Sequence, residues 1–315
     1  MTLSAIVPTH DRPVVLRKCL ETLQAQDVSA SELEVVVVDD GSLLDIGAVV
    51  AAVSADGSIP MRYERQELTG LNGARNRGAS VARGDVLAFL DDDTLVSPGW
   101  ARALLRAFDS HPCAGVGGRV ELSLAAPEPD WLGERRYYLA EYDLGTDARW
   151  LEDDPDPVGA NCAVRRSDFD RLGGFRLGLD RIAKSLVSNG DTEFFRRLRA
   201  AGGRLRYEPE ASVLHCVPEE RLTVRYFIKR DYAQGISDEL LLRLEGHPPT
   251  LGHGVGLARE IARLWRPLCS DVLHGRGTVM TRLLASYWFG RLSALRMRPP
   301  DIGGATELED ARSSS

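Results

Sequence analysis

Apolar residues recur along the first half of the chain in two alternating rhythms. Short unbroken runs, "LSAIVP" at 3–8, "LEVVVVDD" at 33–40 and "DVLAFL" at 85–90, stop abruptly at polar clusters. Runs of this length, rich in Val and without polar alternation, predict parallel strands covered on both faces. "MRYERQ" at 61–66 predicts a weaker strand. Between these, "VVLRKCLETLQAQ" at 14–26 places Val15, Leu16, Cys19, Leu20 and Leu23 on one helical face, and a second helix is expected over 72–81. Strand, helix, strand, helix implies right-handed βαβ units and a doubly wound sheet.

The second half has a different texture. Residues 122–158, rich in Pro, Asp, Trp and Tyr, read as a long loop region. "SDFDRLGGF" at 167–175 predicts a short helix stopped by Gly173 and Gly174. "GDTEFFRRLRAAGG" at 190–203 predicts a clear helix, with Asp191 and Glu193 in its first turn and Gly202 at its end. "LRYEPEASVLH" at 205–215 reads as two short strands around Pro209, and a longer helix is expected over 221–245. Residues 246–256 have a linker's composition. Two amphipathic helices are expected near 257–266 and 277–297, and the polar tail 300–315 reads as disordered. The expected division is a catalytic domain over 1–245, with halves 1–120 and 121–245, a helical extension over 246–299, and the tail.

The formal net charge of −7 argues against a nucleic-acid partner, which calls for a basic face. Five scattered cysteines without a C-x-x-C pair argue against a zinc site or a disulfide framework; they read as core fillers in a reducing compartment. With no basic leader before Leu3 and no apolar run near the ~20 residues needed to span a bilayer, the expectation is a cytoplasmic protein.

In doubly wound sheets ligands bind beyond the carboxyl ends of the strands. The first strand is followed by Thr9, His10 and Asp11, the second by Asp39 and Asp40, and the fourth by Asp91, Asp92 and Asp93. Polar groups, mostly carboxylates, thus converge on one edge. Alternation along an extended segment lets Asp91 and Asp93 reach one cation, with Mg²⁺ or Mn²⁺ suited to hard oxygen ligands, and leaves Asp92 for a ribose hydroxyl. A divalent ion there offsets the mutual repulsion and can bridge a diphosphate. Asp39 can accept from a nucleobase imide, although Asp-Gly-Ser is also ordinary turn chemistry. Arg75 and Arg77 in "GLNGARNRGA" fit a diphosphate, or equally a helix start with surface arginines. Asp191 can cap its helix, and His215 after an apolar run reads as structural more readily than as a ligand.

Taken in order, "AIVPTHDRP", "VVVVDDGS", "NGARNRGASVARGDVLAFLDDD", "GANCAVRRSDFDRLGGF" and "GDTEFFRRLRAAGG" resemble glycosyltransferase family 2, inverting enzymes of the GT-A fold, over roughly residues 2–235. The resemblance implies an α/β fold with a mostly parallel central sheet flanked by helices. It implies that Pro8, Thr9, Asp11 and Asp39 line the nucleobase pocket and that Arg75 lies near the base or diphosphate. Asp91 to Asp93 correspond to the D-x-D motif, with Asp93 the foremost metal ligand, Asp91 or Asp92 near the ribose, and His215 near metal or diphosphate. Gly159 to Asn161 would face the donor sugar and acceptor. Asp191 matches the aspartate of the family's Glu-Asp pair, which supplies the catalytic base; Gly190 stands where the family often has Glu, which leaves Glu193 as a competitor.

The implied reaction is a metal-dependent, inverting transfer of a sugar from a nucleotide-diphosphate donor, UDP-sugar foremost, to a hydroxyl of a glycan, lipid-linked saccharide or secondary metabolite. A haloacid dehalogenase-type phosphatase also places D-x-D after an apolar strand, but its pattern continues with Thr or Val where this chain has Leu95. A receiver-like domain accounts for "VVVVDDGS" alone. Gly190 keeps open a degenerate protein that binds sugar nucleotide without transfer. The segment "TRLLASYWFGRLSALRM" reads as a helix packing on the catalytic domain or on a second subunit of a homodimer, with peripheral membrane contact as the alternative.

Overall fold

A computed structural model describes residues 1–181, 185–247, 250–273 and 279–297. The apolar runs form the strands β1 (Leu3–Thr9), β2 (Leu33–Asp40), β3 (Met61–Gln66) and β4 (Val86–Leu90). Further strands are β5 (Thr94–Val96), β6 (Gly115–Leu124), β7 (Arg149–Trp150), β8 (Asn161–Arg165) and β9 (Leu205–Val217). Helices α1 (Pro13–Gln24), α2 (Ile46–Ala55), α3 (Leu71–Val81), α4 (Trp100–Ser110), α5 (Arg166–Leu172) and α6 (Gly190–Ala200) accompany them. Then follow α7 (Val224–Leu244), α8 (Leu251–Leu273) and α9 (Val279–Ala294).

By internal contacts the chain divides into two units. The first comprises Met1–Ser123, Arg136–Arg176 and Asp191–Val217; the second comprises Leu124–Arg135, Leu177–Gly190 and the residues from Pro218 onward.

In the first unit one sheet runs β3-β2-β1-β4-β8-β6-β9-β5, with β7 on β9. The β3-β2-β1-β4 portion is parallel, as the covered apolar runs demand: every residue of β1 and β4 is buried. β2 and β4 flank β1 on opposite sides, which puts a topological switch point at the carboxyl end of β1. The sheet continues through antiparallel strands, of which only the 205–215 region was expected as strand. β8 is only five residues, β5 only three, and β6 begins in glycines and alternates thereafter. Helix α4 was likewise not expected; it buries Trp100, Leu104 and Phe108 against the core.

Three expectations change. Residues 205–217 form one strand, not two: β7 pairs it at Arg206 and Tyr207 before Pro209, and β5 pairs it at Val213 to His215 after. The 122–158 region is not all loop, since β6 reaches Leu124, a 3-10 helix covers Gly133–Leu139, and Arg149–Trp150 form β7. The linker composition of 246–256 gives way to α8 from Leu251, where Thr250 Oγ1 accepts from His253 N at 3.1 Å and closes the first turn. The tail 300–315 lies outside the described residues.

In the second unit α9 packs along α7 with the backbones in contact. A Cβ at Gly235 would stand 2.0 Å from Tyr287 O, and one at Gly290 would stand 2.0 Å from Tyr232 O. Of α9, Leu283, Ala285, Gly290 and Ala294 are buried, whereas Met280, Leu284 and Phe289 are exposed. No helix of the described residues is long and apolar enough to cross a membrane.

The reciprocal glycines yield a stability prediction. Gly290→Val should cost about 1–3 kcal/mol through overpacking. Gly256→Ala, in a helix with open space around it, should be neutral or gain up to about 1 kcal/mol. Thermal unfolding of the full chain reads both, and a Gly290 variant melting with the parent would contradict the close crossing.

Candidate active site

The strand register places the acidic edge. In the β1–β4 pairing Ile6 stands opposite Phe89, so three residues further on Thr9 meets Asp92. Thr9 Oγ1 indeed donates to Asp92 Oδ2 at 2.7 Å, with both residues buried. On the other side of β1, Thr9 pairs with Asp39, and Pro8 with Val38. The loops after β1 and β2 are stitched together. Asp11, at φ 53°, accepts from Leu43 N at 2.6 Å and Leu44 N at 2.9 Å, while its own N–H donates to Ser42 Oγ. The Leu44 and Leu43 amides hold the Asp11 carboxyl below its ordinary value, the Leu44 bond foremost, against a smaller effect of burial.

Asp39 is fully buried; Tyr63 OH donates to one of its oxygens at 2.7 Å and Ser42 N to the other at 2.8 Å. Asp40 accepts from Thr69 N, Gly70 N and Gln66 Nε2 at 2.8–2.9 Å and so ties the entry of α3 to β2. Arg75, also buried, bridges two places: its Nη2 donates to Gly159 O at 2.9 Å and to Asp91 Oδ1 at 3.2 Å, and its guanidinium lies 5.5 Å from the centre of the Phe175 ring.

Asp91, Asp93 and His215 converge, each offering one ligand atom within 4.8 Å of the others. The β5–β9 pairing brings His215 opposite Thr94, beside Asp93. His215 Nδ1 lies 2.6 Å from Leu139 O. A carbonyl only accepts, so Nδ1 carries the hydrogen and Nε2 is the ligand face, the orientation a metal-binding histidine is given by its outer partner. That Nε2 is 3.1 Å from Asp93 Oδ1. Two lone-pair atoms this close need a cation between them, whether a proton or a metal. Two carboxylates and an imidazole make a donor set that suits Mn²⁺, so these residues fit the ion.

Arg12 is a member of the site that sequence reasoning missed. Its guanidinium reaches Asp92 Oδ1 through Nη1 and Asp93 Oδ2, at 2.8 Å, through Nη2. The signal was available, because a cation three residues beyond Thr9 lies one loop turn from the acids that Thr9 meets. Burial works against the Arg12 charge, but Asp92 and then Asp93 outweigh it and hold the proton more tightly than usual. Asp92 is pushed up to about 7, by burial first, with Arg12 pulling the other way and the neighbouring acids adding to the rise.

At the start of α6 the two candidate bases part. Glu193 is buried and paired twice, with Arg197 through both oxygens at 2.8 and 3.0 Å and with Arg176 at 3.2 Å. Asp191 is partly exposed and makes no ion pair among the described residues; Oδ2 accepts from Gly159 N at 2.7 Å and Oδ1 from Thr192 N at 2.9 Å. One residue, Gly159, is thus held by Asp191 on its N–H and by Arg75 on its carbonyl, which links the start of α6 to Asp91. Packing supports the placement: Phe194 contacts Phe169 and Phe175, and both touch Phe89 near the end of β4. Asn161, expected to face the donor, is turned into the core. Its Oδ1 accepts from Trp100 Nε1, and both amide hydrogens are engaged by Arg119 O and Ala211 O. It holds β8 to its neighbours and has no donor left for a ligand.

A parallel strand set ending in a carboxylate–imidazole cluster, extended by antiparallel strands, is the GT-A architecture of nucleotide-sugar-dependent transferases, and the comparisons agree. The solved structure of the mannosyltransferase PcManGT from Pyrobaculum calidifontis, in complex with GDP-Man and Mn²⁺, shares the fold at a TM-score of 0.60 and 18% identity, over 93% of this chain and 87% of that one. The family model described as glycosyl transferase family 2 matches residues 4–173. Succinoglycan biosynthesis protein ExoM of Rhizobium meliloti is 30% identical over 254 residues, 80% of this chain and 79% of the relative. A glucosyl-dolichyl phosphate glucuronosyltransferase of Haloferax volcanii is 26% identical over 245 residues, 76% of this chain and 77% of that protein. The chain belongs to glycosyltransferase family 2, and its activity is that of a glycosyltransferase; the phosphatase alternative is not favoured.

The Asp92 shift predicts a pH effect in chelator-treated protein. An unfolded aspartate titrates near ~4, so between about 4 and 7 the folded state holds a proton that the unfolded state lacks. Stability from this group therefore falls as pH rises through that window and is level above it. Asp92→Asn should raise the melting temperature relative to the parent more at pH 8 than at pH 5. An equal difference at both pH values would count against the raised value.

Proposed function

We propose that this glycosyltransferase moves a sugar from a nucleotide-diphosphate donor, UDP-sugar foremost, to a saccharide hydroxyl with inversion at the anomeric carbon. The observation that carries the reading is the convergence of Asp91, Asp93 and His215 at the carboxyl edge of the parallel strands. These three residues would hold a divalent ion, Mn²⁺ or Mg²⁺, which when bound offsets the negative charge that builds on a departing diphosphate. That a fold neighbour was solved with GDP-Man and Mn²⁺ supports the metal and leaves GDP as the second donor base.

The chain's own residues divide the remaining work. The ends of β1 and β2, carrying Thr9 and Asp39, and the stitched loops after them, carrying Asp11, form the nucleobase end; Tyr63 and Ser42 hold Asp39 in one orientation. Arg75 ties Asp91 to the Gly159 peptide. Asp191 removes the proton of the acceptor hydroxyl as that oxygen attacks the anomeric carbon from the face opposite the nucleotide. Its two backbone hydrogen bonds fix the carboxylate while leaving lone pairs for the incoming proton. Glu193, clamped by Arg176 and Arg197, has the structural role. The names of the relatives, one acting on glucosyl-dolichyl phosphate and one in succinoglycan biosynthesis, support a glycan or lipid-linked saccharide as acceptor.

Two experiments test this. A thermal-shift panel of UDP-, GDP- and dTDP-sugars with and without Mn²⁺ should show a rise that needs both donor and ion; no rise with any donor would sink the reading. With donor and acceptor in hand, Asp191→Asn should lower kcat by about 10²–10⁴-fold with little change in donor affinity. Glu193→Gln should lower the melting temperature and keep most of kcat per folded molecule. The reverse pattern would make Glu193 the base, and product of retained configuration would overturn the single displacement.

A further inference from the structure

The acid cluster already carries a cation of its own. Arg12 holds Asp92 with one arm of its fork and Asp93 Oδ2 with the other at 2.8 Å, while Asp93 Oδ1 faces His215. Asp93 is one of the three groups that fit the ion, so Arg12 grips a ligand the ion needs and brings a charge of the same sign. Two cations on one buried carboxylate repel, so each weakens the other's hold on Asp93.

Exposure decides which group moves. The Arg12 side chain is 34% exposed, whereas those of Asp92 and Asp93 are 5% and 2% exposed. Asp92 is also held by Thr9, and the backbone carbonyl of Asp93 accepts from Cys216 N at 2.8 Å. The carboxylates are fixed, while the guanidinium sits at the rim on a flexible stem. Among the described residues Arg75 is the other guanidinium on the cluster; its side chain is 4% exposed and is tied to Gly159, so it is the stationary one. Charge balance sets where Arg12 goes. Among the described residues at most three negative charges, the third only when Asp92 is ionised, face two guanidiniums; a divalent ion tips the cluster positive, and a diphosphate restores the balance with oxygens that match a guanidinium fork.

We propose that Arg12 is an exchangeable cation: it clamps Asp92 and Asp93 until a divalent ion displaces it, then turns to the donor's diphosphate. The proposal rests on reading the site as that of a metal-dependent sugar-nucleotide transferase. It makes ion and diphosphate bind cooperatively, since the second ligand takes up the group the first releases, and linkage makes the effect reciprocal. It also gives Arg12 opposite effects on the two ligands, against the ion and for the diphosphate.

The test is calorimetric titration of the full chain with Mn²⁺ alone, then with UDP and GDP in the presence and absence of Mn²⁺, for the parent, Arg12→Gln and Arg12→Lys. Circular dichroism and melting curves check folding, and the lysine variant, which keeps the charge without the fork, serves if the glutamine variant does not fold. The expected result is Mn²⁺ binding about tenfold tighter in Arg12→Gln and tighter to a smaller degree in Arg12→Lys. The factor by which Mn²⁺ tightens nucleotide binding should shrink in Arg12→Gln by a similar amount. A parent that binds Mn²⁺ with variants that bind it no tighter overturns the proposal alone. Tighter Mn²⁺ with an undiminished coupling factor overturns it too, because the guanidinium then does not pass to the diphosphate. Mn²⁺ binding by neither parent nor variant overturns the metal reading and this proposal together.

Discussion

Three consecutive carboxylates at the end of a wholly buried strand repel one another, and the first unit is organised around meeting that charge. Arg12 arrives from the loop after β1 and Arg75 from α3, so the answer comes from segments far apart in sequence, and β9 brings the His215 ring beside Asp93. Burial of Asp92 and Asp93 raises the stakes, because in a low-dielectric setting both repulsion and attraction grow. A cluster so arranged is balanced only approximately and responds to any further charge, which is what a site for an ion and a diphosphate requires.

The parallel half of the sheet was legible because its signal is local. β2 and β3 match the expected limits 33–40 and 61–66, and β1 and β4 differ from expectation by one residue at one end. Continuous apolar runs bounded by polar clusters leave little latitude. Apart from β9, the antiparallel extension was not legible, because its other strands are short or mixed and are made by pairing partners more than by their own pattern. Three residues, Thr94 to Val96, are a strand only because Val213 to His215 lie beside them. That pairing explains His215: its apolar run reads the same whether the ring ends in a core or against an acid, and only a register between segments over a hundred residues apart decides.

The same limit divides the site residues. Asp91 and Asp93 could be named because clustered charge beside an apolar run has few other uses, whereas Arg75 could be told from a surface arginine at a helix start only through the family resemblance. Asn161 shows the opposite case. Its place in a glycine-alanine-asparagine segment suggested contact with the donor, yet a buried amide binds whatever completes its hydrogen bonds, and here those are Trp100, Arg119 and Ala211. Glu193 and Asp191 are two residues apart, so they lie on different sides of the helix; composition cannot tell which one meets the arginines.

Gly190 was the feature that left room for a protein that binds without transferring. The arrangement around it weakens that reading. What a proton acceptor needs at this place is a fixed carboxylate with lone pairs not taken by a cation, joined rigidly to the groups that hold the donor. Asp191 supports each condition: two backbone N–H groups orient it, no arginine pairs with it among the described residues, and Gly159 and Arg75 connect it to Asp91. The glycine at 159 is part of that connection, since a Cβ there would stand 2.4 Å from Arg75 Nη2 and push the guanidinium off the peptide. A missing carboxylate at position 190 removes one acid from the neighbourhood, but it leaves intact the path that registers Asp191 against the acidic edge.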